Sequence, residues 1–253
     1  MLLLLKLILT PLFIAAVTLS GRKWGPAVSG LLMGLPLTSG PTSFFLSQEY
    51  GAAFASKATS GNLIGQASVC VFCLAYTLAA QKHTWEISAV LGLSAFFAAL
   101  LVCELFSWPL LAACALLMVV IALVSRFIPR YAEVGGVFHA PSWDLPARMV
   151  IATTIVISLT AVANILGPQL SGLISSFPIF AVILTAFAHH QQGKQAATRM
   201  LRSMVIGSIS LAFFYLVVGS LLMALGPVVY VLAAVVAVGI SALIYVITRR
   251  AAR

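Results

Sequence analysis

The densest polar chemistry in this sequence lies inside an apolar segment, in the run Gly34-Leu-Pro-Leu-Thr-Ser-Gly-Pro-Thr-Ser43. Proline withdraws a backbone donor and strains the turn before it, so carbonyls are left without partners. In hydrocarbon such groups persist only against protein or a watery cavity. Pro36 marks the break, and the hydroxyls of Thr38, Ser39, Thr42 and Ser43 follow it. Each hydroxyl either bonds a carbonyl of its own preceding turn or faces a cavity; as a cluster they point to a binding site. Asn62 and Gln66 are four apart, so a helix places them on one face, where they line the same cavity or bridge helices. A second interruption falls at Pro178. It is drier, because Ile-Phe-Ala-Val-Ile-Leu follows and only Thr185 adds a hydroxyl.

Titratable groups are few and peripheral. Lys57 and Arg199 each precede an apolar segment and read as cations at the two mouths of a pathway, or as interfacial side chains that snorkel. His189 and His190 close the segment after Pro178; they form a possible proton relay at a mouth, against the commoner reading of a solvated pair. Glu49 and Glu104 lie near segment ends, so no carboxylate is expected at mid-membrane. Catalytic and metal-binding patterns are missing: there is no phosphate loop, no H-E-x-x-H and no paired acids within a span. Asp144, His139 and Ser142 share a loop without specificity. Cys70 and Cys73 sit in an apolar run with no further ligand nearby, and read as small packing residues. The sequence therefore predicts no enzyme, no cofactor and no metal.

The elements that must position these residues follow from composition. Of 253 residues 62% are hydrophobic and 8% charged, with a mean hydropathy of +1.13. A water-facing surface needs about 25% charged residues, so the chain reads as a multi-pass membrane protein, not a cytosolic enzyme, secreted disulfide scaffold or nucleic-acid binder. Apolar windows give nine expected spans, at 2–20, 25–46, 60–80, 86–105, 107–127, 147–165, 168–189, 203–224 and 227–248. The first reads as a retained span, because Lys6 follows four leucines and no basic region precedes them. Nine spans put Arg22, Lys23, Lys82, Arg126, Arg130, Arg148, Lys194, Arg199, Arg202, Arg249, Arg250 and Arg253 on one side, and only Lys6 and Lys57 on the other. That bias predicts an outside N-terminus and a cytoplasmic C-terminus. Trp24, Trp85, Trp108 and Trp143 fall at span ends or in the central loop.

The chain also matches itself at an offset of 142. From Gly25/Gly167 to Ser68/Ser210, 12 of 44 positions are identical without a gap, including Pro36/Pro178, Gly51/Gly193 and Gly65/Gly207. The spacing G-P-x-x-S-G-L-x-x-x-x-P, held twice, points to duplication. Five spans separate the two starts, so the copies would enter the membrane from opposite sides as an inverted repeat, a plan recurrent in secondary transporters. The expected division is a first four-helix repeat at 1–106, a linker helix and cytoplasmic loop at 107–145, and a second four-helix repeat at 146–253. The predicted fold class is an all-α polytopic membrane protein with 4+1+4 inverted-topology repeats.

The stretch Leu170 to His190 resembles the GlpM family of small bacterial inner-membrane proteins, through Phe177, Pro178, Phe180, Ala181 and His189. The first copy departs from that pattern, reading G-L-P-L-T-S. The resemblance implies a bacterial cytoplasmic membrane and transfers no catalytic or binding role. The expected function is a small secondary transporter or flippase for an anionic or lipid-linked substrate, moved between the two repeats. The alternative is a non-transporting accessory subunit of an envelope or polysaccharide assembly. An intramembrane enzyme would need a deep acid, histidine or nucleophile that the sequence does not offer. The implied partners are membrane lipid, the substrate, and a second copy or an envelope protein; nucleic acid is not among them.

Overall fold

The computed structural model describes residues 2–131, 140–175 and 177–251, with side chains over 7–131, 140–159 and 177–248. Gly135, Gly136 and His139 of the central loop, Arg253, and the side chains at 166–176 lie outside these ranges. In chain order the helices are α1 (Leu2–Trp24), α2 (Pro26–Met33), α3 (Ser39–Tyr50), α4 (Ala52–Ala79), α5 (Trp85–Glu104), α6 (Leu110–Phe127), α7 (Asp144–Ser175), α8 (Ile179–Gln192), α9 (Lys194–Leu225) and α10 (Val229–Ala251), with a 3-10 turn at Gly226–Val228. Among the described residues four stretches are long and apolar enough to cross a membrane: α4, α5, α6, and the run Lys194–Thr248 that contains α9 and α10. Val90, Leu101, Leu111, Val119, Val231 and Val235 are exposed on α5, α6 and α10. An apolar surface of that extent suits lipid and not water.

The segments expected at 25–46 and 168–189 are not single helices. The first is split into α2 and α3 by residues 34–38; the turn expected between 147–165 and 168–189 is absent, because α7 runs unbroken from Asp144 to Ser175, and α8 starts only at Ile179. Pro36 and Pro178 sit in the two breaks, where a missing amide does least harm. The spans expected from 60 and from 203 begin earlier, at Ala52 and Lys194. Polar residues made those starts read as loop. In α4 the helix absorbs them: the Thr59 hydroxyl donates to the Ser56 carbonyl at 2.6 Å and the Ser60 hydroxyl to the Lys57 carbonyl at 3.0 Å. Both helices open on a glycine in nearly the same backbone state, Gly51 at φ 87°, ψ 161° and Gly193 at φ 83°, ψ 172°. Positive φ of this kind is cheap only for glycine.

The centre of the bundle is α4 against α9, with α5 packed on α4, α10 on α9 and α1 on α7. Tyr76, Phe72, Leu63, Leu201 and Tyr215 are among its fully buried side chains. Cys70 and Cys73 are buried there too, as expected of packing residues. The tightest approach is α2 on α9. A methyl group added at Gly34 would stand 2.5 Å from the Gly207 carbonyl carbon, and one at Gly207 would stand 2.7 Å from the Leu31 carbonyl oxygen. One at Gly30 would overlap the Met200 carbonyl. Small residues let backbones meet in this way where lipid supplies no hydrophobic drive between helices.

Gly34→Ala should therefore destabilise the purified protein by about 1–3 kcal/mol, read as a lower thermal midpoint in detergent. Gly61→Ala meets open space on α4 and should hold or raise it. Equal midpoints for the two variants would contradict the close α2–α9 contact.

Candidate functional site: a cavity between two chain breaks

The two breaks meet at one cavity of about 140 Å³. The first break contributes Leu35, Leu37, Thr38 and Ser39; the second contributes Phe177, Pro178, Ile179, Phe180 and Ala181. Asn62, Gly65, Gln66 and Val69 of α4 and Met204, Leu211 and Tyr215 of α9 close the sides, with Met33 at the end of α2. Six pairs of lining residues stand 142 apart: Leu35/Phe177, Leu37/Ile179, Thr38/Phe180, Ser39/Ala181, Asn62/Met204 and Val69/Leu211. A seventh pair at this offset joins across the cavity wall, where Gln66 Nε2 donates to Ser208 Oγ at 2.7 Å. Ser208 in turn donates to the Met204 carbonyl at 2.9 Å, which fixes the acceptor for the amide.

The matched positions differ in chemistry. Thr38, Ser39 and Asn62 are polar, whereas the residues 142 positions on, Phe180, Ala181 and Met204, are apolar. Both α3 and α8 begin at the cavity, with Thr38 and Pro178 at their N-cap positions, and neither start is closed by a side-chain hydrogen bond. Helix starts carry partial positive charge, but here the Gly40 amide donates to the Pro36 carbonyl at 3.0 Å and the Ile179 amide to the Phe177 carbonyl at 2.8 Å. The Tyr215 hydroxyl is fully buried and makes no hydrogen bond of ordinary geometry, although the Ser39 hydroxyl lies beside it. No acid or base lines the cavity.

Of the residues anticipated from sequence, Thr38, Ser39, Asn62, Gln66 and Pro178 line this cavity. The others are not among its lining residues. Pro36 accepts the Gly40 amide at 3.0 Å, and the Thr42 hydroxyl donates back to the Thr38 carbonyl at 2.8 Å. Ser43 Oγ pairs with Tyr230 Oη of α10 at 3.1 Å. Thr185 is fully buried on α8 and its hydroxyl has no partner. Lys57 is exposed on α4, and Arg199 is half-buried on α9. His189 is held by Tyr76 Oη at 3.2 Å, and His190 stands edge-on to Trp85. Sequence reasoning missed Tyr215, Met204 and Leu211. Once Ser208 is paired with Gln66 by the offset, positions 204, 208, 211 and 215 read as one helix face.

The end of the bundle that carries His189 is tied across elements by charge. Asp144 of α7 is fully buried and receives Arg22 of α1 at 2.8 Å, Arg148 at 2.9 Å and the Gln191 amide of α8 at 2.6 Å. At the same end Arg202 donates to the carbonyls of Ser125 and Ile128, and Lys194 to that of Gln81. The other end is joined more sparsely, for example by Ser56 to the Gly219 carbonyl at 2.9 Å. Burial works against an ionised Asp144, but Arg22, Gln191 and Arg148 together hold its carboxyl below the usual range.

No family model matches the chain, and no curated protein or solved structure is significantly similar to it.

Because the folded protein binds the Asp144 proton more weakly than the unfolded chain, the resulting stability is full above about pH 4. It is lost as the pH falls through the depressed folded value. Asp144→Asn should lower the thermal midpoint at neutral pH, by an energy on the order of 3 kcal/mol. The gap to wild type should close on acidification below about pH 4. A gap that persists unchanged in acid would show that the carboxylate charge is not what holds α1, α7 and α8 together.

Proposed function

We propose that the chain is a small secondary transporter whose substrate passes through the cavity between the two breaks. It is read as two inverted repeats, 1–106 and 146–253, about a linker at 107–145, with nine crossings of the membrane. The observation that carries this reading is the lining of the cavity by residue pairs at one constant offset. Equivalent segments of a duplicated chain meet at such a place when a two-fold axis runs between them. Transporters of this plan hold substrate near the midplane, between discontinuous helices. The matching φ and ψ of Gly51 and Gly193 support the duplication further.

The basic residues support an orientation. Arg22, Arg148, Lys194 and Arg202 gather at one end of the bundle, so we place that end and the C-terminus in the cytoplasm. The membrane is read as a bacterial cytoplasmic one from the GlpM likeness, four of whose five residues, Phe177, Pro178, Phe180 and Ala181, line the cavity. The chain is read as a carrier and not an enzyme, since the cavity offers hydroxyls and amides without an acid, base or thiol to start a reaction.

Sided labelling tests this. In a background without native cysteines, Thr38→Cys and Ala181→Cys should react with a membrane-impermeant thiol reagent from at least one face of sealed vesicles. Thr42→Cys and Thr185→Cys, away from the lining, should stay unlabelled. Protection of Thr38→Cys and Ala181→Cys from both faces would mean a dry interface, and would favour a non-transporting accessory subunit of an envelope or polysaccharide assembly.

A further inference from the structure

We infer that the cavity binds a small uncharged amide, a primary carboxamide or a urea, on the side-chain amides of Asn62 and Gln66. Transport of that solute rests on the transporter reading, whereas its recognition rests on how the two amides are held. Asn62 Nδ2 donates to the Ala58 carbonyl at 3.1 Å, an atom that can only accept, so the nitrogen is fixed on that side. Gln66 Nε2 meets Ser208 Oγ, whose own proton goes to the Met204 carbonyl, so this nitrogen is fixed as well. Neither amide oxygen has a protein partner, and neither is among the buried unpaired atoms of the described residues. Both residues line the cavity, so their oxygens are open to what fills it.

An amide nitrogen carries two hydrogens, and each of these has used one. A ligand therefore meets two strong acceptors and a spare N–H from each side chain. The Thr38 hydroxyl, also on the lining, can donate or accept. A carboxylate would face the amide oxygens with no Lys or Arg among the described lining residues, and an ammonium would face the spare N–H groups with no Asp or Glu. Burying either charge in that way is costly. A primary amide or urea answers both sets, because its N–H groups reach the acceptors, its carbonyl takes the donors, and it brings no charge. Residues four apart on a helix stand about 5–6 Å apart at Cβ. One NH2 group spans acceptors about 5 Å apart through two bonds of about 2.9 Å. Size limits the rest of the molecule: a cavity of roughly 150 Å³ accommodates benzene, about six heavy atoms, and this one measures about 140 Å³. Met204, Leu211 and Phe180 suit a short hydrocarbon tail.

Calorimetric titration of the purified full chain in detergent tests the inference, with propionamide and three molecules of similar shape: propionate, propylammonium and butanone. Butanone keeps the carbonyl and lacks the N–H donors. Propionamide should bind about tenfold or more tightly than each of the others, as a site built to hydrogen-bond a ligand rejects analogues without the matching groups. Asn62→Leu and Gln66→Leu should each weaken propionamide binding by about fivefold, the usual loss for one neutral hydrogen bond. Butanone binding should stay as it was, which a merely structural role for the two amides would not give. The ligand series on the unaltered chain decides the matter even where a variant folds poorly. Equal binding of butanone, tighter binding of either ion, undiminished binding by both variants, or no binding of propionamide, with water the sole occupant, would each overturn the assignment. Failure of the transporter reading looks different: propionamide would bind with this selectivity, while Thr38→Cys and Ala181→Cys stayed protected from both faces of the vesicle.

Discussion

A helix cannot stop in hydrocarbon without leaving amides and carbonyls that nothing outside the protein will bond. This chain stops twice in the same region, at residues 34–38 and again before Ile179. Much of the surrounding arrangement keeps those two interruptions away from lipid. α4 and α9 stand beside them as long central helices, and the glycine contact of α2 with α9 lets the first break lie against protein backbone. The more lipid-exposed helices α5, α6 and α10 wrap this centre with the simpler task of presenting apolar side chains outward. The cavity is the remainder of that arrangement. It lies where the two interruptions face each other and no side chain fills the gap.

Part of this was readable from the residues alone. Proline in an otherwise apolar span announces a break, and Pro36 and Pro178 each sit in one. Asn62 and Gln66 were legible because two amides in an apolar helix need a purpose. The individual hydroxyls were not. Thr38 and Thr42 share a run, yet one faces the cavity and the other bonds its own helix, and only the exact turn after Pro36 decides which. Tyr215 was hidden for a different reason, since a tyrosine among Phe213, Phe214 and Leu216 looks like ordinary core. The starts of α4 and α9 were misplaced because serines, threonines and cations read as loop, whereas back-bonded hydroxyls sit comfortably in a helix.

The polar ties are distributed unevenly. One end of the bundle carries the Asp144 cluster and the anchors of Arg202 and Lys194, several of them linking elements far apart in sequence. The opposite end depends on single hydroxyl bonds such as Ser56 to Gly219 and Ser43 to Tyr230. Separating α1 from α7 at the first end would strand a buried carboxylate beside Arg148, which is itself nearly buried. Parting the second end would expose only neutral groups. The two ends therefore differ in the energy needed to loosen them, and the difference is set by charge burial more than by apolar contact.

The unequal helix lengths carry a consequence for the surrounding lipid. α6 has 18 residues and α5 has 20, which at 1.5 Å per residue is about 27 and 30 Å. A hydrocarbon layer is about 30 Å thick, so neither helix has length to spare for tilt. α9, with 32 residues, extends about 48 Å and must lean or project into the headgroups. Acyl-chain length then becomes a mechanical input. A thicker bilayer would strain the short outer helices against the long inner one, and a thinner bilayer would let them settle together.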